Sequence, residues 1–214
     1  MGYNPLTMGR RPAIAIIDYG AGNLRSVAKA FEKLGYPTLI THRDLDILSA
    51  DCIILPGVGA AGEAMRSLEA LGLTDIIRTI ISEGQPFFGV CLGMQMLFDT
   101  SEEGGAECLG ILPGQVKRLP KELKVPHMGW NQVAQRLPHP IFHGIPQEAN
   151  FYFAHSYYAE PIDQSHVLGE TQYGVVFKSI LGKGSLVATQ FHPEKSDQLG
   201  LKLYDNFIRQ VVLA

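Results

Sequence analysis

The order of apolar and polar positions predicts alternating strands and helices in the first half of the chain. Short continuous apolar runs are typical of strands buried on both faces of a parallel sheet, and the stretches between them repeat apolar residues at helical spacing. This alternation indicates an α/β fold. Strands are predicted at residues 13–17, 36–40, 52–55 and 85–90, helices at 24–34 and 64–80 with Gly72 as a candidate break, and a short helical or turn segment at 45–48.

The second half of the chain has shorter apolar segments separated by turn residues, which predicts an antiparallel extension of the sheet. The fold class is therefore α/β, with a mostly parallel central sheet flanked by helices and an antiparallel extension. We expect one domain, residues 13–214, after a flexible leader of residues 1–12 that shows no periodicity. The strand candidates of this half lie at residues 116–119, 130–133, 152–155, 175–177 and 186–190, and an amphipathic helix is predicted at 199–212.

Composition narrows the class of protein. The 214 residues are 46% hydrophobic, enough for a full core, and no apolar stretch approaches a membrane span. A net charge of −3 without a Lys/Arg run argues against a nucleic-acid partner. The three cysteines are odd in number and lack metal-type spacing, which argues for a reducing compartment and predicts a cytoplasmic protein with no metal. The Gly20-Ala21-Gly22 loop lacks the third glycine of a dinucleotide fingerprint, and no cofactor is predicted.

The stretch Gly89-Val90-Cys91-Leu92-Gly93 places a cysteine where a strand turns sharply into a helix predicted over residues 92–98. That arrangement is a nucleophile elbow in a Gly-x-Cys-x-Gly version, whose glycines permit strained dihedral angles and close backbone approach. A helix N-terminus next to the sulfur favours the thiolate. The alternative is a buried structural cysteine, since free cysteine is among the most buried residue types. These five residues alone leave both interpretations open.

A cysteine nucleophile needs a base, and the base needs an orienting partner. Among the seven histidines, His192 follows the strand candidate at 186–190, and Pro193 fixes the backbone between it and Glu194. Because Cys91 and His192 both follow central strands, they are expected to meet at one edge of the sheet. The chain order Cys, His, Glu differs from the order in α/β-hydrolases, which argues against an esterase or lipase.

Three segments together resemble the class I, triad-type glutamine amidotransferases: Gly57-Val58-Gly59, the Cys91 elbow and His192-Pro193-Glu194. The resemblance extends over nearly the whole chain after the leader. Within that family, residues 18–24, 126–131 and 192–196 resemble the glutaminase subunits of imidazole glycerol phosphate synthases.

The resemblance implies hydrolysis of L-glutamine and delivery of ammonia to a separate cyclase subunit, HisF, a (β/α)8 barrel, in a heterodimer of histidine biosynthesis. It implies a catalytic triad of Cys91, His192 and Glu194. Gln95, at i+4 from Cys91, would face the same side of the helix. By the same resemblance, the oxyanion donors are the backbone amides of Val58 and Leu92, the substrate contacts are Gly57, Gly59, Gln95, His155, Ser156 and Tyr157, and the partner contacts are Asn23, Trp130, Asn131 and Lys195.

Two other interpretations are compatible with parts of this pattern. One is a glutaminase subunit of a different synthase, for pyridoxal phosphate or anthranilate. The other is a non-catalytic, DJ-1-like redox protein in which Cys91 is a sensor. The complete Cys-His-Glu set favours an enzyme over the redox protein.

Overall fold

A computed structural model describes residues 11–213, so residues 1–10 of the predicted leader lie outside the described range. The strands are β1 (Ile14–Ile17), β2 (Thr38–Thr41), β3 (Cys52–Gly57), β4 (Phe87–Cys91), β5 (Thr100–Ser101), β6 (Ala106–Glu107), β7 (Gly114–Arg118), β8 (His127–Gln135), β9 (Ala149–His155), β10 (Tyr157–Pro161), β11 (Val167–Tyr173), β12 (Val175–Lys183) and β13 (Leu186–Thr189). The α-helices are α1 (Leu24–Lys33), α2 (Asp44–Ser49), α3 (Ala61–Ala70), α4 (Leu73–Ser82), α5 (Leu92–Gln95) and α6 (Asp197–Phe207), the last continued by a π-helical turn at Ile208–Val212.

The main sheet has nine strands in the order β2-β1-β3-β4-β13-β12-β11-β8-β9. The first five strands of this order are parallel, and the remaining strands extend the same sheet by antiparallel pairing. A second, four-stranded sheet has the order β10-β7-β5-β6. Strands β4 and β13 are direct parallel neighbours, with Val90 opposite Thr189. Their carboxyl ends therefore deliver Cys91 and His192 to the same edge.

The two faces of the main sheet bury two separate hydrophobic clusters. Successive side chains of β4 point to opposite faces, so Phe88 packs with α1 and α6 while Phe87 packs with α3 and α4. The ring of Phe88 meets that of Phe207 edge-on at 5.0 Å between centroids. Burying one such side chain stabilises the fold by about 1.5–3 kcal/mol. The helical layers thus pack on both faces of β4, which ends at Cys91.

The structure confirms one detail of the predicted elements and corrects two. Gly72, at φ 69°, does divide the predicted helix into α3 and α4. The helix after Cys91, however, ends at Gln95 rather than continuing to Phe98, because the carbonyls of Met96, Leu97 and Phe98 accept hydrogen bonds from amides of residues 109–112. The prediction also missed the strands β5, β6, β10 and β11. No helix in the described range is long and apolar enough to cross a membrane.

Candidate active site

Cys91 lies in a strained backbone conformation at the end of β4, with φ 53° and ψ −106°. A non-glycine residue held in a sparsely populated region costs of order 1–3 kcal/mol and must be fixed by its surroundings. Here α5 packs directly on β3, and a Cβ at Gly93 would lie 1.8 Å from the carbonyl oxygen of Leu55. Glycine is therefore required at position 93, as the elbow interpretation predicts.

His192 and Glu194 form a buried hydrogen-bonded pair. Pro193 begins a short 3-10 turn, Pro193–Lys195, which brings the Glu194 carboxylate back to the imidazole. Nδ1 of His192 lies 2.8 Å from Oε1 of Glu194, and both side chains are almost fully excluded from solvent. Because the carboxylate can only accept, Nδ1 carries the proton. Nε2 is left for the Cys91 sulfur, with which the imidazole also interacts.

The charges of this triad support one another. Burial alone would lower the pKa of His192, but the negative charge of Cys91, the hydrogen bond to that sulfur and the Glu194 carboxylate raise that pKa to about 10. Burial would raise the pKa of Glu194, yet its hydrogen bond from His192 and the imidazolium charge hold the pKa of that carboxyl below its usual range. These interactions favour the imidazolium form of His192, held between Cys91 and the Glu194 carboxylate.

Two further residues, not predicted for this role, bind the Glu194 carboxylate. The side-chain amide of Asn23 donates to Oε1, and the hydroxyl of Tyr204 donates to Oε2 at 3.3 Å. Asn23 was predicted as a partner contact, and the structure shows that its half-buried side chain also forms this internal hydrogen bond. With His192, the carboxylate has three donors, which satisfies a charge that has lost its water.

A cavity of about 210 Å³ opens beside Cys91. Its size suits an amino acid rather than a drug-sized ligand. Most of the predicted oxyanion and substrate residues line it, together with residues that the sequence did not single out, notably the carboxylate of Glu103. The lining residues are Val58, Gly59, Cys91, Leu92, Gln95, Glu103, Pro126, Met128, Ala154, His155, Ser156 and Tyr157.

Gly57 is the exception among the predicted substrate contacts, because it does not line this cavity. A Cβ at position 57 would lie 2.5 Å from the hydroxyl of Tyr19 and 2.8 Å from Cβ of Leu92. Gly57 thus permits the close packing of β3 on the elbow. The Tyr19 hydroxyl donates to the carbonyl of Pro56 at 3.0 Å, and burial raises the pKa of this phenol above its usual range.

Two neutral imidazoles lie in contact at the cavity: His155 lines it, and His127, at the start of β8, lies beside His155. Nδ1 of His127 lies 3.0 Å from Nε2 of His155, and Nδ1 of His155 lies 2.8 Å from the carbonyl of Tyr157. The carbonyl can only accept, so both rings donate through Nδ1. Burial lowers the pKa of His127 to about 4 and that of His155 to about 3. Asn131 extends this chain of hydrogen bonds, with its Nδ2 at 3.3 Å from Nε2 of His127.

Exposed apolar side chains lie at the cavity and next to it. Met128 and Val58, which line the cavity, are 67% and 38% exposed, and Trp130, two residues after Met128 on β8, is 50% exposed. Of the predicted partner contacts, Trp130 and Lys195 are exposed, whereas Asn131 is partly buried and donates to the carbonyl of Gln172 at 3.0 Å. Within residues 11–213, no group of three His, Cys, Asp or Glu side chains could hold a metal ion.

The comparison with protein families agrees with this geometry. The family model for "Glutamine amidotransferase class-I" matches residues 15–211. The chain belongs to the class I glutamine amidotransferase family.

Relatives within the family carry a more specific name. The protein named "Imidazole glycerol phosphate synthase subunit HisH" from Dehalococcoides mccartyi strain CBDB1 is 52% identical to this chain, over 93% of this chain and 98% of that protein. The protein of that name from Moorella thermoacetica is 52% identical, over 91% of this chain and 93% of that protein. The one from Pseudomonas syringae is 48% identical, over 91% and 95%.

Solved structures agree in fold. A crystal structure of a glutamine amidotransferase superimposes with a TM-score of 0.74 at 18% identity, covering 94% of this chain and 99% of that one. A glutamine amidotransferase from Thermotoga maritima superimposes with a TM-score of 0.66 at 17% identity, covering 94% of this chain and 83% of that one. The flavodoxin-like class I amidotransferase fold predicted from the sequence is confirmed.

Proposed function

We propose that this chain hydrolyses L-glutamine to glutamate and ammonia through Cys91, His192 and Glu194, and supplies the ammonia to a cyclase subunit in histidine biosynthesis. One observation carries the proposal: a His-Glu pair joined at 2.8 Å is buried beside a strained cysteine that opens onto an amino-acid-sized cavity. The shared name of relatives about half identical to this chain supports the choice of synthase.

The chemistry follows from the charges of the site. The Cys91 thiolate attacks the side-chain amide carbon of glutamine, and the π electrons of the carbonyl move to its oxygen. As the carbonyl reforms, the C–N bond breaks and the nitrogen takes the Nε2 proton of His192, leaving as ammonia. His192 then removes a proton from water, which attacks the thioester; the C–S bond breaks and glutamate leaves. Throughout, Glu194 keeps Nδ1 protonated and the ring oriented.

The oxyanion of both steps needs hydrogen-bond donors. The resemblance assigns this role to the backbone amides of Val58 and Leu92, and both residues line the cavity with Cys91. Removing one such donor typically costs about 3–4 kcal/mol in the transition state. The two residues lie on different segments, since Val58 is in the loop after β3 and Leu92 begins α5. A change in the loop after β3 could therefore alter the activity without displacing the triad.

The cavity offers complementary groups for the amino-acid end of glutamine. Glu103 presents the carboxylate that an α-ammonium group requires, and its Oε2 is fixed by the amide of Ala61 at 2.8 Å. Gly59, Gln95 and the segment from His155 to Tyr157 supply the neutral part of the wall. We assign these residues to substrate binding.

The exposed apolar rim supports a protein partner over the cavity. Trp and Met are enriched at the cores of protein interfaces; Met128 lines the cavity, and Trp130 is exposed two residues further along β8. Ammonia released into water would become ammonium, so a cover that accepts it directly is needed. We propose that the cover is the HisF (β/α)8 barrel, in a heterodimer whose contact includes or adjoins Asn23, Trp130, Asn131 and Lys195. This heterodimer makes imidazole glycerol phosphate and aminoimidazole carboxamide ribotide.

We further propose that the protein works in the cytoplasm. All three cysteines, Cys52, Cys91 and Cys108, are free and buried. A reducing compartment keeps such thiols reduced, and the nucleophile has to be reduced to act.

The test combines the chain with a matching cyclase and the substrate of that cyclase. We expect slow glutamine hydrolysis by the chain alone, strong stimulation by the loaded cyclase, and product formation from glutamine that Cys91→Ala abolishes while added ammonium salts still sustain it. Trp130→Ala should weaken the stimulation, whereas the exposed Leu45→Ala, on α2, should not. Equal turnover with and without the cyclase, or product formation from glutamine no faster than from free ammonia, would overturn the proposal.

A further inference from the structure

Gln190 lies against the nucleophile without lining the cavity. Its side chain is fully buried between the end of β13 and His192, and its backbone amide is fixed by the carbonyl of Ser179 at 2.9 Å. Nε2 lies 3.6 Å from Sγ of Cys91, and Oε1 accepts a hydrogen bond from Nε2 of Gln95 at 3.0 Å. A buried amide thus contacts the reacting sulfur from the protein side of the site.

The network fixes which end of the Gln190 amide faces the sulfur. The carbonyl of Tyr157 can only accept, so the Gln95 atom at 2.8 Å from it is the nitrogen. The same nitrogen of Gln95 approaches Gln190 at 3.0 Å, and a donor there requires an acceptor, which is Oε1 of Gln190. The remaining NH2 group of Gln190 therefore points at Cys91. Rotating this amide would place a donor against a donor and an oxygen against an anionic sulfur.

This pairing discriminates between the two states of the cysteine. A neutral thiol is a weak acceptor, so a buried N–H aimed at it is poorly satisfied. A thiolate accepts strongly, because hydrogen bonds to a charged partner are stronger than neutral ones, and more so when water is excluded. An N–H in this place stabilises the thiolate of Cys91 relative to the neutral thiol.

We propose that Gln190 is a further catalytic residue, whose side-chain N–H donates to the Cys91 sulfur, stabilises the thiolate and aims it at the substrate carbon. The proposal rests on Cys91 being the nucleophile of the proposed function. Because Gln190 is absent from the cavity wall, it contributes to the chemical step rather than to glutamine binding. Gln95 lines the cavity and also donates a hydrogen bond to Gln190. A ligand in the cavity is thereby coupled, through these two side chains, to the orientation of the Cys91 sulfur.

The decisive measurement is the pH dependence of Cys91 alkylation by iodoacetamide, since only the thiolate reacts. Gln190→Met keeps the approximate volume of the side chain but removes the donor, and we expect the alkylation midpoint to rise by about one pH unit. The kcat for glutamine should fall about tenfold with KM within about twofold. Gln190→Glu, which replaces the donor by an acceptor, should have a larger effect. Gln115→Met, at an exposed site on β7, should match the parent chain.

The titratable groups around the sulfur are His192, His155, Tyr19 and Glu103, and the Gln190 variants keep all four. Alkylation at Cys52 and Cys108 is subtracted by repeating the reaction in Cys91→Ala. Thermal unfolding establishes that each variant is folded. The alkylation reads the sulfur without any glutamine turnover, so failure of the proposed function and failure of this inference are separate results.

A measurement on the unaltered side chain covers the case in which Gln190→Met does not fold. In the wild-type protein the side-chain NH2 resonances of Gln190 should shift with pH along the same curve as Cys91 alkylation, and that shift should vanish in Cys91→Ala. An alkylation midpoint in folded Gln190→Met within 0.2 pH unit (roughly the error of such a fit) of the parent, or NH2 resonances that ignore the state of Cys91, would overturn the inference.

Discussion

Asn23 donates its side-chain amide to Oε1 of Glu194, the same oxygen that accepts from Nδ1 of His192. Asn23 itself has a left-handed backbone, with φ 76°, and caps α1 through its carbonyl, which accepts from the amides of Ser26 and Val27. The loop after β1 is thereby tied to the triad. Asparagine suits this place because it tolerates the left-handed region and carries a donor of the right length.

Removing the Asn23 donor should slow catalysis with little change in substrate binding. Asn23→Gly keeps the left-handed backbone and loses the side chain, and we expect kcat to fall about tenfold with KM nearly unchanged, since a hydrogen bond to a charged group is worth about 1.5–3 kcal/mol. Asn23→Asp should be worse, because it places a second negative charge against Glu194. Steady-state kinetics with the cyclase bound provides the measurement, and the exposed Asn150→Gly provides the control. Equal kcat for Asn23→Gly and the parent would contradict a positioning role.

The sequence was sufficient to predict the parallel core and the proximity of Cys91, His192 and Glu194, because both depend on local patterns. The apolar runs of β1, β3 and β4 have nearly the predicted bounds, and the residues between the elbow glycines and around Pro193 dictate their own geometry. Cys91 and His192 then meet because β4 and β13 are parallel neighbours. The parallel order of α/β strands makes that meeting predictable.

Contacts between distant segments could not be predicted in the same way. Asn23 and Glu194 are 171 positions apart, and no periodicity connects them. The early end of α5 depends on the backbone amides of residues 109–112, which donate to the carbonyls of residues 96–98 that a longer helix would have used. Gln190 did carry a usable signal: it lies two residues before His192, and residues at i and i+2 of an extended segment share a face. Glu103, in a polar glycine-rich loop, carried none.

The charge of Cys91 should control the protonation of His192. Among the influences that raise the pKa of His192 to about 10, the charge of Cys91 is the largest. In Cys91→Ala that influence is lost while burial still acts in the opposite direction, so the pKa of His192 should fall by more than one unit. The imidazole resonances of His192, followed by NMR over pH 5–11, give the value. Cys108→Ala, which removes a buried thiol elsewhere in the fold, is the matched control, and an unchanged His192 titration in Cys91→Ala would refute the prediction.

The buried histidines 127 and 155 should make the fold sensitive to acid. Their pKa values lie below the value of about 6.5 expected in the unfolded chain, so between these limits the unfolded state binds more protons than the folded one. Stability is therefore fully present above about pH 6.5 and is lost as the pH falls toward 4. His192 has the opposite sign: its raised pKa favours the folded state at low pH and stops doing so as the pH rises through 10.

Urea unfolding at a series of pH values measures this effect. For His155 we expect the free energy of unfolding to drop by on the order of 1 kcal/mol for each pH unit below 6.5. His155→Gln should be less stable at pH 7 because its hydrogen bonds to His127 and Tyr157 are altered, but its stability should depend less on pH between 6.5 and 4. His42→Gln, at an exposed position, should keep the full dependence. A variant of His155 with the parent slope would show that the acid sensitivity comes from other groups.

The contact between α5 and β3 should tolerate no side chain at position 93. A methyl group there would lie 1.8 Å from the carbonyl oxygen of Leu55. The methyl carbon is fixed to the backbone of the elbow and the oxygen belongs to the backbone of β3, so one of these two segments must move. Gly93→Ala should therefore lower the free energy of unfolding by roughly 3 kcal/mol or more and misplace Cys91.

Gly62→Ala, in the first turn of α3, is the matched control, because its Cβ would lie 3.5 Å from the nearest atom, the end of the Arg66 side chain. That change should leave stability unaltered or raise it by up to about 1 kcal/mol, since alanine favours a helix over glycine. Urea unfolding and glutamine turnover of both variants decide the matter: similar losses in both would show that the packing on Leu55 is not what constrains the elbow.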